Sequence, residues 1–145
     1  MDLYTIGFTQ KSAEQFFGLL KGAGVRRVLD IRLSNTSQLA GFTKAQDLPY
    51  FLRALCGAEY VHEPRLAPTR ELMERYRKHK GSATEFRAGY LKLVTQRRVA
   101  ETLDRALLEG PTALLCAEPD ARECHRSFAA EYLSHRWPEL RPVHL

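Results

Sequence analysis

The sequence predicts an α/β fold: a parallel or mostly parallel sheet of about five strands flanked by helices, with a helical insertion before the fourth strand. Three observations carry this expectation. Short β-rich runs alternate with amphipathic stretches, as strands joined by helical crossovers require. The most apolar run, Thr112-Ala113-Leu114-Leu115-Cys116-Ala117, lies late in the chain and reads as a strand covered on both faces. Between about residues 69 and 109 the pattern is helical throughout and too long for one crossover. At 145 residues, 44% of them apolar, the chain is expected to form one domain over residues 1–145 around its own core.

Each element has a local reason. Leu3-Tyr4-Thr5-Ile6-Gly7-Phe8 reads as the first strand. Ser12-Ala13-Glu14-Gln15 has the form of a capping box, after which Phe16, Leu19 and Leu20 share a helical face until Gly22 and Gly24. Arg27 to Arg32 is the second strand. A polar loop then leads to a helix with Asp47 at its cap, Pro49 in its first turn and Phe51, Leu52 and Leu55 inward, closed by Gly57. Glu59-Tyr60-Val61-His62 is a short third strand. The insertion divides into a basic helix from Thr69 that Gly81 stops, a helix opened by Ser82-Ala83-Thr84-Glu85, and a third marked by Val99, Leu103, Ala106 and Leu107. A turn over Glu118-Pro119-Asp120 precedes a helix from about Cys124 to Arg136, and Arg141 to Leu145 forms the last strand.

Composition narrows the function classes. No apolar run is long enough to cross a bilayer, and Met1-Asp2-Leu3-Tyr4 has neither a basic nor an apolar leader, so a cytoplasmic protein without a membrane partner is expected. Three cysteines without a CxxC pair argue against a secreted disulfide framework. Absence of a glycine-rich dinucleotide fingerprint, a Walker loop and HExxH disfavours nicotinamide cofactors, P-loop hydrolysis and zincin proteolysis. The charge is uneven: Arg65 to Arg98 carries ten Lys or Arg against three Glu, the remainder twelve against fourteen. That basic segment suits an anionic partner or a solvated helical face.

In open parallel sheets ligands bind outside the carboxyl ends of the strands. There the predicted strands leave Gly7-Phe8-Thr9, Asp30 with Arg32, His62-Glu63, and Cys116 with Glu118, while the next helix opens with Cys124-His125-Arg126. Cys116, Glu118 and His62 are the candidate catalytic groups: a nucleophilic thiol, a general base and a proton carrier. Asp30, Arg32, Cys124, His125 and Arg126 are candidates for holding substrate or an anion at the helix start. Each has a plainer alternative. Cys116 suits a buried strand end, Asp30 and Arg32 share a strand face and suit an ion pair, and Glu118 suits a salt bridge with Arg126. Cys56 suits the core. Cys116 to Arg122 also spells the Cys-x5-Arg spacing of cysteine phosphatases, but Glu118 and Asp120 inside such a loop would repel phosphate.

Thr5-Ile6-Gly7, Asp30-Ile31-Arg32, Tyr60-Val61-His62-Glu63-Pro64 with Leu66-Ala67-Pro68-Thr69, Leu114 to Pro119, Cys124-His125-Arg126 and the closing His144-Leu145 resemble the family catalogued as domain of unknown function 488. The Cys-Ala-Glu to Cys-His-Arg stretch is the most specific part, and the resemblance implies a compact α/β domain over nearly the whole length. The family's first strand often ends Gly-His-Ser, whereas this one ends Gly7-Phe8-Thr9, so an imidazole at that place is not expected here.

Three functions follow as expectations. The first is an anion or phosphate site at the carboxyl edge of the sheet, in an enzyme acting on a nucleotide or nucleic-acid component. The second is a nucleic-acid-binding module using residues 65–98, with Tyr76, Phe86 and Tyr90 for stacking. The third is a metal site through Cys116, Cys124 and His125, with His62 as a further ligand.

Overall fold

The computed structural model describes residues 1–36, 41–78, 82–117 and 124–145. Five strands, β1 (Asp2–Gly7), β2 (Arg27–Asp30), β3 (Glu59–His62), β4 (Thr112–Cys116) and β5 (Arg141–His144), form one sheet in the order β3-β2-β4-β1-β5. Every pairing is parallel. The most apolar strand, β4, is central and buried along its whole length, as its composition requires.

Among the described residues, six helices cover the sheet: α1 (Ala13–Gly22), α2 (Leu48–Cys56), α3 (Arg70–Lys78), α4 (Ala83–Gln96), the single turn α5 (Val99–Thr102) and α6 (His125–Arg136). The strands' two-residue alternation sorts their side chains into two cores. Ile6, Val28, Ala113 and Leu115 meet α1 and α2 through Phe16, Phe17, Leu20, Leu48 and Leu52. On the other face Leu3, Leu29, Ile31 and Leu114 meet α4 and α6 through Phe86, Tyr90, Val94, Phe128, Ala129 and Leu133.

Local signals hold where the chemistry is strong. The Ser12 hydroxyl accepts the Gln15 amide at 3.1 Å and the Gln15 side chain accepts the Ser12 amide at 2.8 Å, completing the capping box. Ser82 likewise accepts the Glu85 amide at 3.0 Å. Gly57 ends α2 at φ 63°, in the left-handed region where a side chain would be strained.

Three readings need correction. Leu19 and Leu55, expected inward, are 38% and 48% exposed. Phe17 is buried instead, because α1 must meet α2 as well as the sheet: its ring stacks on Phe16 at 5.0 Å and contacts Phe42 and Phe51. Asp47 precedes α2 without a side-chain capping bond. The expected third helix of the insertion is one turn of α-helix followed by a 3-10 turn over Arg105–Leu108, and it buries Leu108 rather than Ala106. Gly81 and the turn over Glu118-Pro119-Asp120 lie outside the described residues. No helix among the described residues is long and apolar enough to cross a membrane.

Candidate functional site

The candidate residues fall on opposite faces of the sheet. Asp30 follows Val28 by two residues and therefore points to the α1/α2 face, together with Arg32, Tyr60 and His62. Cys116 follows Leu114 by two and points to the α6 face, with Thr5 beside Leu3 on the same side. The carboxyl edge thus carries two separate polar clusters rather than one hollow.

The first cluster is self-contained. The Asp30 carboxylate accepts both Nε and Nη2 of Arg32 at 2.8 Å, the Arg32 amide at 3.1 Å and the Tyr60 hydroxyl at 2.5 Å. Arg32 Nη2 also donates to the Thr43 carbonyl at 2.6 Å, and the guanidinium lies over the Phe8 ring, 5.3 Å from its centre. Phe8 therefore seats a cation. Asn35 donates to the Tyr60 oxygen at 3.2 Å. Burial, then the hydrogen bond and charge of Asp30, push the Tyr60 hydroxyl up to about 12. Two ions buried in this geometry satisfy one another, so the ion-pair alternative describes Asp30 and Arg32 best. His62 is exposed at the end of the edge strand β3, two strands from β4, or about 10 Å by strand spacing.

The second cluster gathers Cys116, Cys124 and His125. Cys116 ends β4, and Cys124 is the N-cap of α6, with extended backbone and no side-chain capping bond. Their sulfurs are in disulfide contact, eight residues apart in sequence, a pairing the cysteine spacing did not suggest. His125 bridges the elements: its Nε2 lies 2.7 Å from the Ile31 carbonyl oxygen at the end of β2, its Nδ1 3.4 Å from Cys116 Sγ and 3.9 Å from Cys124 Sγ. A carbonyl can only accept, so Nε2 carries the proton and in neutral His125 the Nδ1 lone pair faces the sulfurs. Tyr90 fixes the ring from the other side, 5.6 Å between centres, and is itself held by donating to the Leu66 carbonyl at 2.7 Å. Burial pushes the Tyr90 hydroxyl far up. The cluster is enclosed: Cys116 is 3% exposed, Cys124 1% and His125 3%.

Arg126 follows His125 on α6, with Lys11 and His144 near it. Arg126 is buried, and its Nε donates to Thr5 Oγ1 at 3.3 Å, while Thr5 Oγ1 meets His144 Nδ1 at 2.6 Å. Burial and then the Arg126 charge hold both the Lys11 ammonium and the His144 imidazole below their ordinary values. Lys11 also lines an open groove with Thr9, Gln10, Ser12 and Gln15, and the Thr9 amide bonds the Ala117 carbonyl at 2.9 Å just past Cys116.

Among the expected site residues, the structure therefore unites Cys116, Cys124, His125 and Arg126, and sets Asp30, Arg32 and His62 apart. Glu118 and Arg122 lie outside the described residues. The sequence does not single out Lys11 or Thr5, the latter being only a polar residue in an apolar strand, and it offers Tyr90 as a stacking ring rather than as a neighbour of His125. Cys56 is remote, half-buried on the α1/α2 side, where burial pushes its thiol up and Lys21 opposes this.

In the basic segment Arg65 pairs with Glu63, Arg75 with Glu71, Arg87 with Glu131 and Arg98 with Glu101, while Arg97 donates to the Arg65 and Ala67 carbonyls. Phe86 and Tyr90 are buried and Tyr76 packs on Phe86, 4.7 Å between ring centres, so these rings serve the core.

A family model described as domain of unknown function DUF488 matches residues 12–133. The chain belongs to the DUF488 family. The match spans α1 to most of α6 and so includes Cys116 and the Cys124-His125-Arg126 start of α6. No curated protein and no solved structure matches this DUF488 chain.

Proposed function

We propose that this DUF488 domain is a thiol-based redox enzyme whose centre is Cys116, Cys124 and His125, and that its substrate is a small anionic disulfide. The observation that carries the reading is the contact of the two sulfurs beside an imidazole whose Nε2–H is committed to the Ile31 carbonyl. From the dithiol state, His125 Nδ1 takes the proton of Cys116. The Cys116 thiolate attacks one sulfur of the substrate and expels its partner as a thiolate. Cys124 gives its proton to the first expelled thiolate and attacks Cys116 in the mixed disulfide, closing the Cys116–Cys124 bond and releasing the second thiolate, which takes the proton held by His125. The N-terminus of α6 favours negative charge at Cys124 through these steps.

Two further features support the choice of substrate. Burial of both sulfurs favours a small reagent over a protein disulfide, because exchange requires in-line approach to sulfur. Lys11 lines the open groove beside Thr9, whose amide bonds the Ala117 carbonyl just past Cys116, so its ammonium is placed to attract a carboxylate or phosphate on the reagent. This keeps the anion site expected from the sequence but builds it on the α6 face, with Asp30 and Arg32 as a structural pair behind the sheet. No specific observation favours the nucleic-acid module, since its named rings are packed and the arginines above have partners.

The test compares two reagents on the reduced protein: glutathione disulfide, which is anionic, and bis(2-hydroxyethyl) disulfide, which is neutral. The expected result is loss of two thiols to each reagent. Lys11→Gln should slow the first reaction several-fold and leave the second unchanged. Equal slowing of both reagents, or oxidation centred on Cys56, contradicts the reading.

A further inference from the structure

The same three residues have a second chemistry available when the sulfurs are reduced. Cys116 Sγ, Cys124 Sγ and His125 Nδ1 all lie within 4.8 Å of one another. Around a tetrahedral zinc ion, with metal–sulfur bonds near 2.3 Å and metal–nitrogen bonds near 2.0 Å, neighbouring ligand atoms stand about 3.5–3.8 Å apart. The two sulfur–nitrogen distances, 3.4 and 3.9 Å, bracket that spacing. Only the two sulfurs need to part, and reduction of their bond requires them to do so. His125 is oriented as a metal-binding imidazole is, with its far nitrogen donating to a backbone carbonyl, so that the ligating atom and ring plane are preset. Two thiolates and one imidazole select a borderline or soft ion over magnesium or calcium.

We propose that the reduced protein holds one zinc-type divalent cation through Cys116, Cys124 and His125, and that closure of the disulfide expels it. The inference deepens the thiol reading and rests on the same cluster. The balance is simple. A small disulfide oxidises the two bound thiolates, one sulfur–sulfur bond forms in the protein and one breaks in the reagent, the reagent leaves as two thiolates, and the metal ion departs with its two metal–sulfur bonds broken. The described residues supply three ligands, which leaves a tetrahedral ion one further coordination position. Metal occupancy thereby becomes a readout of the redox state.

Cobalt(II) is the probe, since its thiolate charge-transfer and visible bands report tetrahedral sulfur coordination. Reduced wild-type protein should take up one equivalent, lose it to zinc and release it on oxidation by bis(2-hydroxyethyl) disulfide. Cys56→Ser should bind like wild type, while Cys124→Ser and His125→Gln should bind at least about tenfold more weakly, since loss of a ligand exceeds the effect of losing an outer-shell partner. Should those variants fail to fold, alkylation of the wild-type protein decides: cobalt should protect Cys116 and Cys124 but not Cys56. Absence of a cobalt–thiolate band in protein with three titratable thiols, unchanged binding by folded Cys124→Ser, or protection of Cys56 instead overturns the metal site. Such a failure with the disulfide still forming reversibly leaves the thiol reading standing, whereas metal uptake without disulfide formation overturns the redox reading and the release step together.

Discussion

Asp30→Asn is the sharpest perturbation of the architecture, because it removes one charge from a buried pair and keeps the shape. The wild-type carboxylate accepts four hydrogen bonds, from Arg32 Nε, Arg32 Nη2, the Arg32 amide and the Tyr60 hydroxyl, at a site without solvent exposure. The amide keeps one acceptor oxygen, turns an NH2 toward groups that donate, and leaves the Arg32 cation buried without its counter-charge. Breaking one side of a buried pair costs about 3–5 kcal/mol. For a domain of this size that is a loss of about 6–20 °C in Tm. Urea and thermal unfolding measure it. A double replacement, Asp30→Leu with Arg32→Met, removes both ions and should recover more than about 1 kcal/mol relative to Asp30→Asn, since the stranded charge is gone. Because this pair lies behind the sheet, Asp30→Asn that remains folded should still form the Cys116–Cys124 disulfide with both reagents. A variant within about 1 kcal/mol of wild type refutes the buried-pair argument, and a folded variant that reacts no longer with the anionic reagent refutes the separation of the two faces.

Other predictions follow from the same contacts. The Tyr60 hydroxyl, raised from 10.0 to about 12, contributes stability that is complete below pH 10 and lost as pH rises through about 12, so Tyr60→Phe should lack this alkaline component when unfolding is compared across that range. His144 is shifted the opposite way, below 6.5, by burial and then by Arg126. Its contribution is complete above pH 6.5 and lost as pH falls through the folded value, and His144→Gln should make urea stability flatter there than wild type. Phe17→Ala should cost about 3–5 kcal/mol, with Leu19→Ala within about 1 kcal/mol of wild type; similar losses for both would place α1 wrongly.

Much of the fold was legible because strands and caps are local events. The β4 run is apolar at every position, and Ser12 and Ser82 sit three residues before partners that their hydroxyls can reach. Helix faces were harder: periodicity alone put Leu19 inward, whereas α1 turns Phe17 toward Phe16, Phe42 and Phe51 because it packs on two neighbours at once.

The candidate site divides along the same line. Strand ends gather at one edge in any parallel sheet, so Cys116 and the α6 start were found together. Which face each strand end serves depends on register, and nothing local to Asp30 or Cys116 says that Asp30 lies beside Leu115 rather than beside Cys116. The proximity of Lys11 to Arg126 has the same origin, arising from elements more than a hundred residues apart. A cysteine pair eight residues apart carries no spacing signature, so its closure depends on α6 returning its N-cap to the end of β4.

Peptide mapping of the wild-type protein, alkylated after oxidation by a small disulfide, tests the thiol centre most directly. The account predicts a Cys116–Cys124 cross-linked pair that reductant returns to two alkylatable thiols, with Cys56 alkylated in both states. Cys116 and Cys124 recovered as separately alkylated residues after oxidation, or either one linked to Cys56, would contradict it.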